Sequence, residues 1–385
     1  MTSLGLMRLP ESAITVGLMR FVKMAGKVLV RFPGAMSQIK GSYAASKTWA
    51  EPLVKSMKAT RKFESLSSSW NVIQHLPKHV LIAGAGITGI SCAIALRERG
   101  VPFRIVNKGR RIGGRMASRT VRDSGTTFDG RVFDTGASYF TVSESQFASV
   151  VAKLETAGVV QPWTDTFHFA DAEGIAGVKT GPMRYRAEGG IRSVVEYLAR
   201  DLVIEEGEIT ELPTSERLAL CMPTPQAARV FPQASVLSSA MWEPVISVSM
   251  LFDHAHWNDF DGIFVNQDAQ ITWIANDGAR RGDQAPALVV HMSPVLSAGH
   301  LVDPSEVIPI AIARVQKILG FDEEPTWSHA HRWTFAKPIE RTTSPKPGFV
   351  LGEVSLASDE FSVRPRVEAG WLSGRDLGHA FADGR

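Results

Sequence analysis

The sequence predicts an α/β fold in which a parallel, dinucleotide-binding half is interleaved with a mixed α+β half. Three observations predict it. A short apolar run, His79 to Ala83, leads into the glycine turn Gly84-Ala85-Gly86-Ile87-Thr88-Gly89 and then a helical stretch, Ile90 to Arg99. A second apolar run, Phe103 to Val106, follows at the spacing of a βαβ unit, and the glycine pair Gly113-Gly114 follows that. Beyond residue 77, strand-length apolar runs and helical apolar spacings then mix without repeats or a low-complexity linker.

Composition sets the bounds. The 385 residues, 44% hydrophobic and 21% charged, are enough for two domains around a large core. Two cysteines, Cys92 and Cys221, have neither metal-ligand spacing nor a disulfide framework, which suits a reducing compartment or indifference to one. The net charge of +3 hides an asymmetry: residues 1–77 carry +8 and the remainder −5. That acidic body argues against a nucleic-acid partner. Of two nearly uncharged runs, His79 to Leu96 holds the glycine turn, and Gln284 to Val302 is broken by Pro286 and Pro294. Neither reads as a membrane span.

Residues 1–77 look unlike the rest. Ala13 to Val30 places Arg20, Lys23 and Lys27 at helical spacing, and the extension holds ten serines. A basic amphipathic helix over 13–30 is expected, suited to peripheral membrane contact or a transit peptide. The alternatives are a disordered tail, or translation starting at Met36 or Met57. Localisation is then cytoplasmic, or organellar if 1–77 is a transit peptide.

Each residue of the nucleotide unit has a physical task. Gly84 allows the tight turn and Gly86 lets backbone approach a pyrophosphate. Ile87 and Thr88 complete the turn before the helix whose positive end faces phosphate, and Gly89 lets that helix pack on the strand. Asn107 stands where an acid usually holds the adenosine ribose. A neutral hydrogen bond contributes ~0.5–1.5 kcal/mol against ~1.5–3 with a charged partner, so the expected loss is ~1 kcal/mol, under tenfold in affinity. Lys108 follows, and then Gly113-Gly114-Arg115-Met116, where Arg115 is expected to pair with phosphate.

Elsewhere, Gln146 to Ala157 reads as an amphipathic helix, and Tyr185 to Leu202 as a glycine turn feeding another. Val245 to Phe252 and Val289 to Met292 read as strands. Pro304 to Leu319 has one apolar helical face, with the regular helix beginning near Pro309.

GAGITG, GGRM and Phe133-DTGASYFT-Val142 together resemble the renalase-type branch of the amine-oxidase-like FAD oxidoreductases. The resemblance continues through Met222-PTPQ-Ala227, Trp273-IA-Asn276, Leu288-VVHMS-Pro294, His331-RWTF-Ala336, Gly348-FVLG-Glu353 and Arg366-VEAGWLS-Gly374. It implies a Rossmann-like FAD-binding domain (78–138, 186–242 and 343–385) and a discontinuous substrate domain (139–185 and 243–342). It also implies that FAD is held by the two glycine segments together with Gly136, Ala137, Ile209, Glu353, Val367 and Glu368. Glu353 stands where the family usually places the aspartate of a Gly-Asp pair. Ala369-Gly370 inverts the usual order, Ser138 replaces a frequent glutamine, and the stretch from Asp201 to Met222 is shorter than usual.

The activity implied is oxidation of an isomeric NAD(P)H by hydride transfer to flavin N5, with dioxygen reoxidising the flavin to give hydrogen peroxide. Trp273 would stack the nicotinamide, Asn276 hold its amide and His291 orient it, with Tyr139 and Phe140 as walls. No metal site is expected. The alternatives are an amine oxidase or desaturase acting on a hydrophobic substrate, and a degenerate, non-catalytic nucleotide-binding protein.

Overall fold

The computed structural model describes residues 20–24, 27–31, 79–212, 216–237, 241–339, 349–351 and 353–384. The chain divides into two units, residues 1–76 and 77–385. In the first, Arg20–Met24 and Lys27–Arg31 pair as antiparallel strands with Met24 opposite Lys27. Strands therefore replace the helix expected over 13–30. Phe21, Val22, Val28 and Val30 favour a pleated surface, and Gly26 in a helix interior would cost about 1 kcal/mol. The rest of that extension, with the targeting and tail expectations, lies outside the described residues.

The second unit holds two main sheets. The first runs in the order Ile204–Glu206, Phe103–Asn107, Val80–Ala83, Arg217–Leu220, Val354–Leu356, Phe349–Leu351. Its first five strands are parallel, and Phe349–Leu351 alone runs antiparallel, against Val354–Leu356. Val80 to Ala83 and Leu218 to Leu220 are buried, as parallel strands covered on both faces require.

Two helices close this half by near-contact of their backbones. Val367–Ala382 crosses Ile87–Glu98 at Gly370, Gly374 and Gly378, four residues apart and so on one helix face. A Cβ at Gly374 would stand 1.9 Å from the Thr88 carbonyl oxygen, and one at Gly378 would stand 2.6 Å from that of Cys92. Ser91 Oγ donates to the Trp371 carbonyl across the crossing at 2.8 Å. On the other side of the first helix, a Cβ at Gly89 would meet the Gly84 carbonyl at 1.9 Å.

The second sheet has eight strands, in the order Trp327–Pro338, Trp242–Leu251, Ala287–Met292, Ile271–Asn276, Gly262–Val265, Gln161–Asp171, Gly174–Arg186, Phe140–Thr141. One face carries Ile246, Val248, Met250 and Val290 against Ala311, Val315 and Ile318 of the helix Ile308–Leu319. The regular helix begins just before Pro309, in its first turn, after a 3-10 turn over Pro304–Val307. Alternation along the strands turns Val289, Trp273 and Leu251 to the other face, where they pack with Phe133 and Phe167.

The crossing gives a direct test. Gly374→Ala should destabilise the protein by about 1–3 kcal/mol, the cost of overpacking a fitted contact. Gly299→Ala, with nothing within 4 Å of its added methyl, should change stability little. Urea unfolding of both variants measures the difference.

Candidate functional site

The residues form one cavity of about 1080 Å³, at the upper limit of the roughly 300–1,000 Å³ usual for small-molecule sites. It opens at the carboxyl ends of the parallel strands, where such sheets bind ligands. Gly84, Ala85, Gly86, Ile87 and Thr88 line that end, facing Gly113, Gly114, Arg115 and Met116. Gly84 needs its glycine identity, because its φ is +107° and a Cβ would stand 2.7 Å from the Cys221 carbonyl. Gly86 caps the helix without any side-chain bond, so the first amides keep their anion-binding capacity. A Cβ at Gly86 would find nothing closer than 3.9 Å, so that glycine leaves room in front of the helix rather than filling it. These features fit a pyrophosphate. Gly89 lies outside the lining and serves the packing described above.

Several expected ligands have other work. Asn107 lines the cavity, but its Oδ1 accepts from the Ala85 amide at 3.1 Å, and its Nδ2 donates to the carbonyls of Gly109 at 2.6 Å and Arg111 at 3.3 Å. Its amide thus straps the glycine turn to the next loop instead of standing open for a ribose. Lys108 pairs with Glu208 at 2.7 Å, both exposed at the rim near Ile209. Arg115 does not stand free for phosphate. It grips Asp359 through two bonds of 3.0 and 2.5 Å, donates to the Ala336 carbonyl at 3.2 Å, and lies over the Trp242 ring.

Glu353 is displaced from the site. The strand before it, Phe349–Leu351, runs antiparallel, and the parallel strand of this segment is Val354–Leu356. Glu353 therefore sits at its amino end, away from the cavity, with its carboxylate 3.8 Å from Arg217. The carboxylate at the carboxyl end is Asp359, buried and in the lining beside Ala357 and Ser358. Val367 lines the cavity, whereas Glu368 does not. The Glu368 carboxylate accepts from the Ser143 and Glu144 amides at 2.8 Å each, at the start of the helix Ser145–Thr156. Burial alone would raise its pKa, but those amides, Ser143 Oγ and Arg366 outweigh it and hold the group below the ordinary value.

Farther in, Gly136, Ala137, Ser138, Tyr139 and Phe140 form one wall. Gly136 touches the Arg115 backbone so closely that a Cβ would stand 2.0 Å from its carbonyl. Trp273 and His291 are directly opposite one another on neighbouring strands, and both line the chamber. Trp273 donates from Nε1 to Ser138 Oγ at 3.1 Å and packs among Tyr139, Phe167 and Phe264. His291 Nε2 is out of solvent without a partner among the described residues. Burial and then the Arg280 charge push its pKa down to about 4, so the ring is neutral at physiological pH. Asn276 is not in the chamber. It caps the short helix Asp277–Arg281, accepting from the Ala279 amide at 3.1 Å.

The opposite wall comes from residues to which sequence reasoning gave no role. Arg332, Trp333, Thr334, Phe335 and Lys337 line the cavity from the strand Trp327–Pro338, and Trp333 Nε1 donates to the Thr135 carbonyl at 2.6 Å. The run HRWTFA was legible as a segment, but no single residue type in it signals a wall.

A buried charge network stands behind this chamber. Asp277 pairs with Arg131 at 2.9 Å, with Arg281 at 3.2 Å, and with Arg280. Arg281 reaches Asp134 at 3.0 Å, and Arg280 donates to the Ser138 carbonyl at 2.8 Å. Burial opposes ionisation of Asp277, but the three arginines prevail and lower its pKa to about 2.

Comparison with known proteins agrees with this geometry. Residues 82–154 match the family described as NAD(P)-binding Rossmann-like domain. Solved structures share the fold over 80% of this chain and 99% of theirs. A protein assigned as a protoporphyrinogen oxidase from Exiguobacterium sp. 255-15 aligns with TM-score 0.64 and 12% identity, and cyclohexylamine oxidase from Brevibacterium oxydans IH-35A with 0.61 and 14%. The chain thus has the two-domain architecture of the amine-oxidase class of oxidoreductases. Its sequence is similar to renalase of Mus musculus, 24% identical over 310 residues that cover 70% of this chain and 87% of renalase. Hydroxysqualene dehydroxylase of Sinorhizobium fredii is 33% identical over 98 residues, 25% of this chain and 22% of that protein.

Asp277 provides the second test. Its folded pKa of about 2 lies below the ordinary 3.8, so its contribution is complete above pH ~4 and disappears as pH falls towards ~2. Asp277→Asn should cost about 3–5 kcal/mol at neutral pH, because three buried arginines lose their shared partner. The deficit relative to wild type should narrow in urea titrations repeated below pH ~3.

Proposed function

We propose that this protein is an FAD-dependent oxidoreductase that oxidises a reduced nicotinamide-type small molecule, an isomer of NAD(P)H. The observation that carries the proposal is the single cavity, continuous from the uncapped glycine-turn helix to the chamber between Trp273, His291 and Trp333. When bound, FAD supplies an electron-pair acceptor for a reduced carbon and passes the electrons on to dioxygen, giving hydrogen peroxide.

The chain's own residues bind and orient. The helix amides of Ile87 and Thr88 would hold a pyrophosphate, and Asp359, held by Arg115, would accept hydrogen bonds from a polyol. Gly136 and Ala137 line the chamber, and Gly136 lets this wall lie against the Arg115 backbone. Trp273, fixed by Ser138, offers a flat face for a dihydronicotinamide, and neutral His291 offers one unspent ring nitrogen to its amide. A dihydropyridine gives up hydride without prior deprotonation, so the chamber needs no strong base. Position is the main lever, with reacting atoms ~3–3.5 Å apart. The fold shared with amine oxidases supports a second reading, oxidation of an amine in the same chamber.

Purified full-length chain mixed with FAD should turn yellow with one FAD per chain. Anaerobic addition of isomerised NADH should bleach it, while amines should not. Bleaching by amines alone would favour the second reading, and failure to retain FAD would sink both. Asp359→Asn should weaken FAD binding about 10–100-fold, the scale of a charge-assisted hydrogen bond of ~1.5–3 kcal/mol. Because His291 is already neutral above pH ~5, His291→Gln should slow the reaction without moving any inflection between pH ~6 and ~8.

A further inference from the structure

Far from the cavity, the loop after the strand Trp242–Leu251 carries the sequence Asp253-His254-Ala255-His256. We infer that Asp253, His254 and His256 form a binding site for a divalent first-row transition metal such as Zn²⁺. His254 Nδ1 lies 2.9 Å and His256 Nε2 3.0 Å from the same carboxylate oxygen of Asp253, and the three ligand atoms all lie within 4.8 Å of one another. Ligands bonded to one tetrahedral ion at about 2.0–2.1 Å stand about 3.3 Å apart, so each His–Asp pair requires only a few tenths of an ångström of spreading, and the two histidine nitrogens, within 4.8 Å of each other, an adjustment of at most about 1.5 Å. Two imidazoles and one carboxylate are the donor set that zinc and its neighbours prefer, and they leave a fourth position to water.

The two histidines contribute differently. Asp253 and His254 are two-thirds exposed and free to adjust, whereas the His256 side chain is 7% exposed. Its ring stacks on Phe321 and meets Phe252 edge-on, at the aromatic end of the core that also holds Trp257. Its other nitrogen, Nδ1, faces Glu323 Oε1 at 3.2 Å. A carboxylate accepting Nδ1–H fixes the tautomer in which Nε2 presents its lone pair, the arrangement that orients a metal-bound histidine. Glu323 thus acts as a positioning residue, and the metal joins the 253–257 loop to the stretch after the helix Ile308–Leu319. The sequence had led to the expectation of no metal; its three ligands are a short local run, and only the fold adds Glu323.

The site is separate from the flavin chemistry. On this strand Ser247 lies opposite His291, which lines the cavity, and Leu251 is four residues further along, so the loop beyond it is more than about 13 Å away. Occupancy should therefore change stability and leave cofactor affinity alone.

The test uses the untagged full-length chain, stripped with a chelator, and Zn²⁺ alone. Calorimetric titration should show one site per chain with micromolar affinity, and the unfolding temperature should rise with Zn²⁺. His254→Ala, on an exposed residue, should weaken binding at least about 100-fold with its fold intact by circular dichroism. Glu323→Gln should weaken it about 10-fold, the usual effect of losing a carboxylate that orients a ligand. Co²⁺ should give a visible absorption band of low-symmetry coordination that His254→Ala abolishes. Absence of saturable binding below about 100 µM Zn²⁺ would overturn the site, leaving a hydrogen-bonded His–Asp cluster. Unchanged binding in His254→Ala would overturn it equally.

Discussion

The close approach of two helix backbones is the constraint on which the binding half depends. With hydrogens at Gly374 and Gly378, the closing helix sits directly on the Thr88 and Cys92 carbonyls, and Gly89 seats the first helix on the turn below it. A helix clamped on two sides cannot slide along its axis. Its amino end, which must present amides at a fixed height above the sheet, is therefore positioned by contacts in its own first turn, at Thr88 and Gly89, and by one a turn further on, at Cys92. The Asn107 strap adds the matching restraint on the turn itself, joining Ala85 to Gly109 and Arg111.

Electrostatic order at the far end of the cavity is set by a different device. Asp277 and Asp134 neutralise a group of arginines that would otherwise repel one another, and the group delivers Arg280 to the Ser138 carbonyl. Ser138 in turn fixes the Trp273 ring. The charges themselves do not line the chamber, yet through Arg280 they add to the burial that keeps its histidine uncharged. A largely aromatic chamber next to a polar cofactor-binding end is the division of labour that suits a bound dihydropyridine.

What the sequence revealed and what it hid follow from the range of the interactions involved. The glycine turn and its flanking strands are local, and the motif specified them almost residue by residue. Asp359 was hidden because two apolar runs, Phe349–Leu351 and Val354–Leu356, compete for the role of closing strand, and only pairing with Arg217–Leu220 decides between them. Asn276 and Glu368 misled for a related reason. Polar residues beside a motif resemble ligands, whereas helix starts also consume them, and which use prevails depends on where the side chain finds an amide. The wall from Arg332 to Lys337 joins the site through sheet order, a property no local pattern encodes.

The strand order also has a consequence for biosynthesis. Arg217–Leu220 is flanked by Val80–Ala83 on one side and by Val354–Leu356 on the other, and the glycine-bearing helix that clamps the first comes last of all. At translation speeds of about 5–20 residues per second, the roughly 270 residues between those outer strands take on the order of 15–55 s to emerge. Throughout that interval the nascent chain presents an unpaired strand edge and an uncovered helix face. Completion of the binding half, and with it any capture of a cofactor, therefore waits until the helix Val367–Ala382 has been made, and the exposed edge is open to mispairing until then.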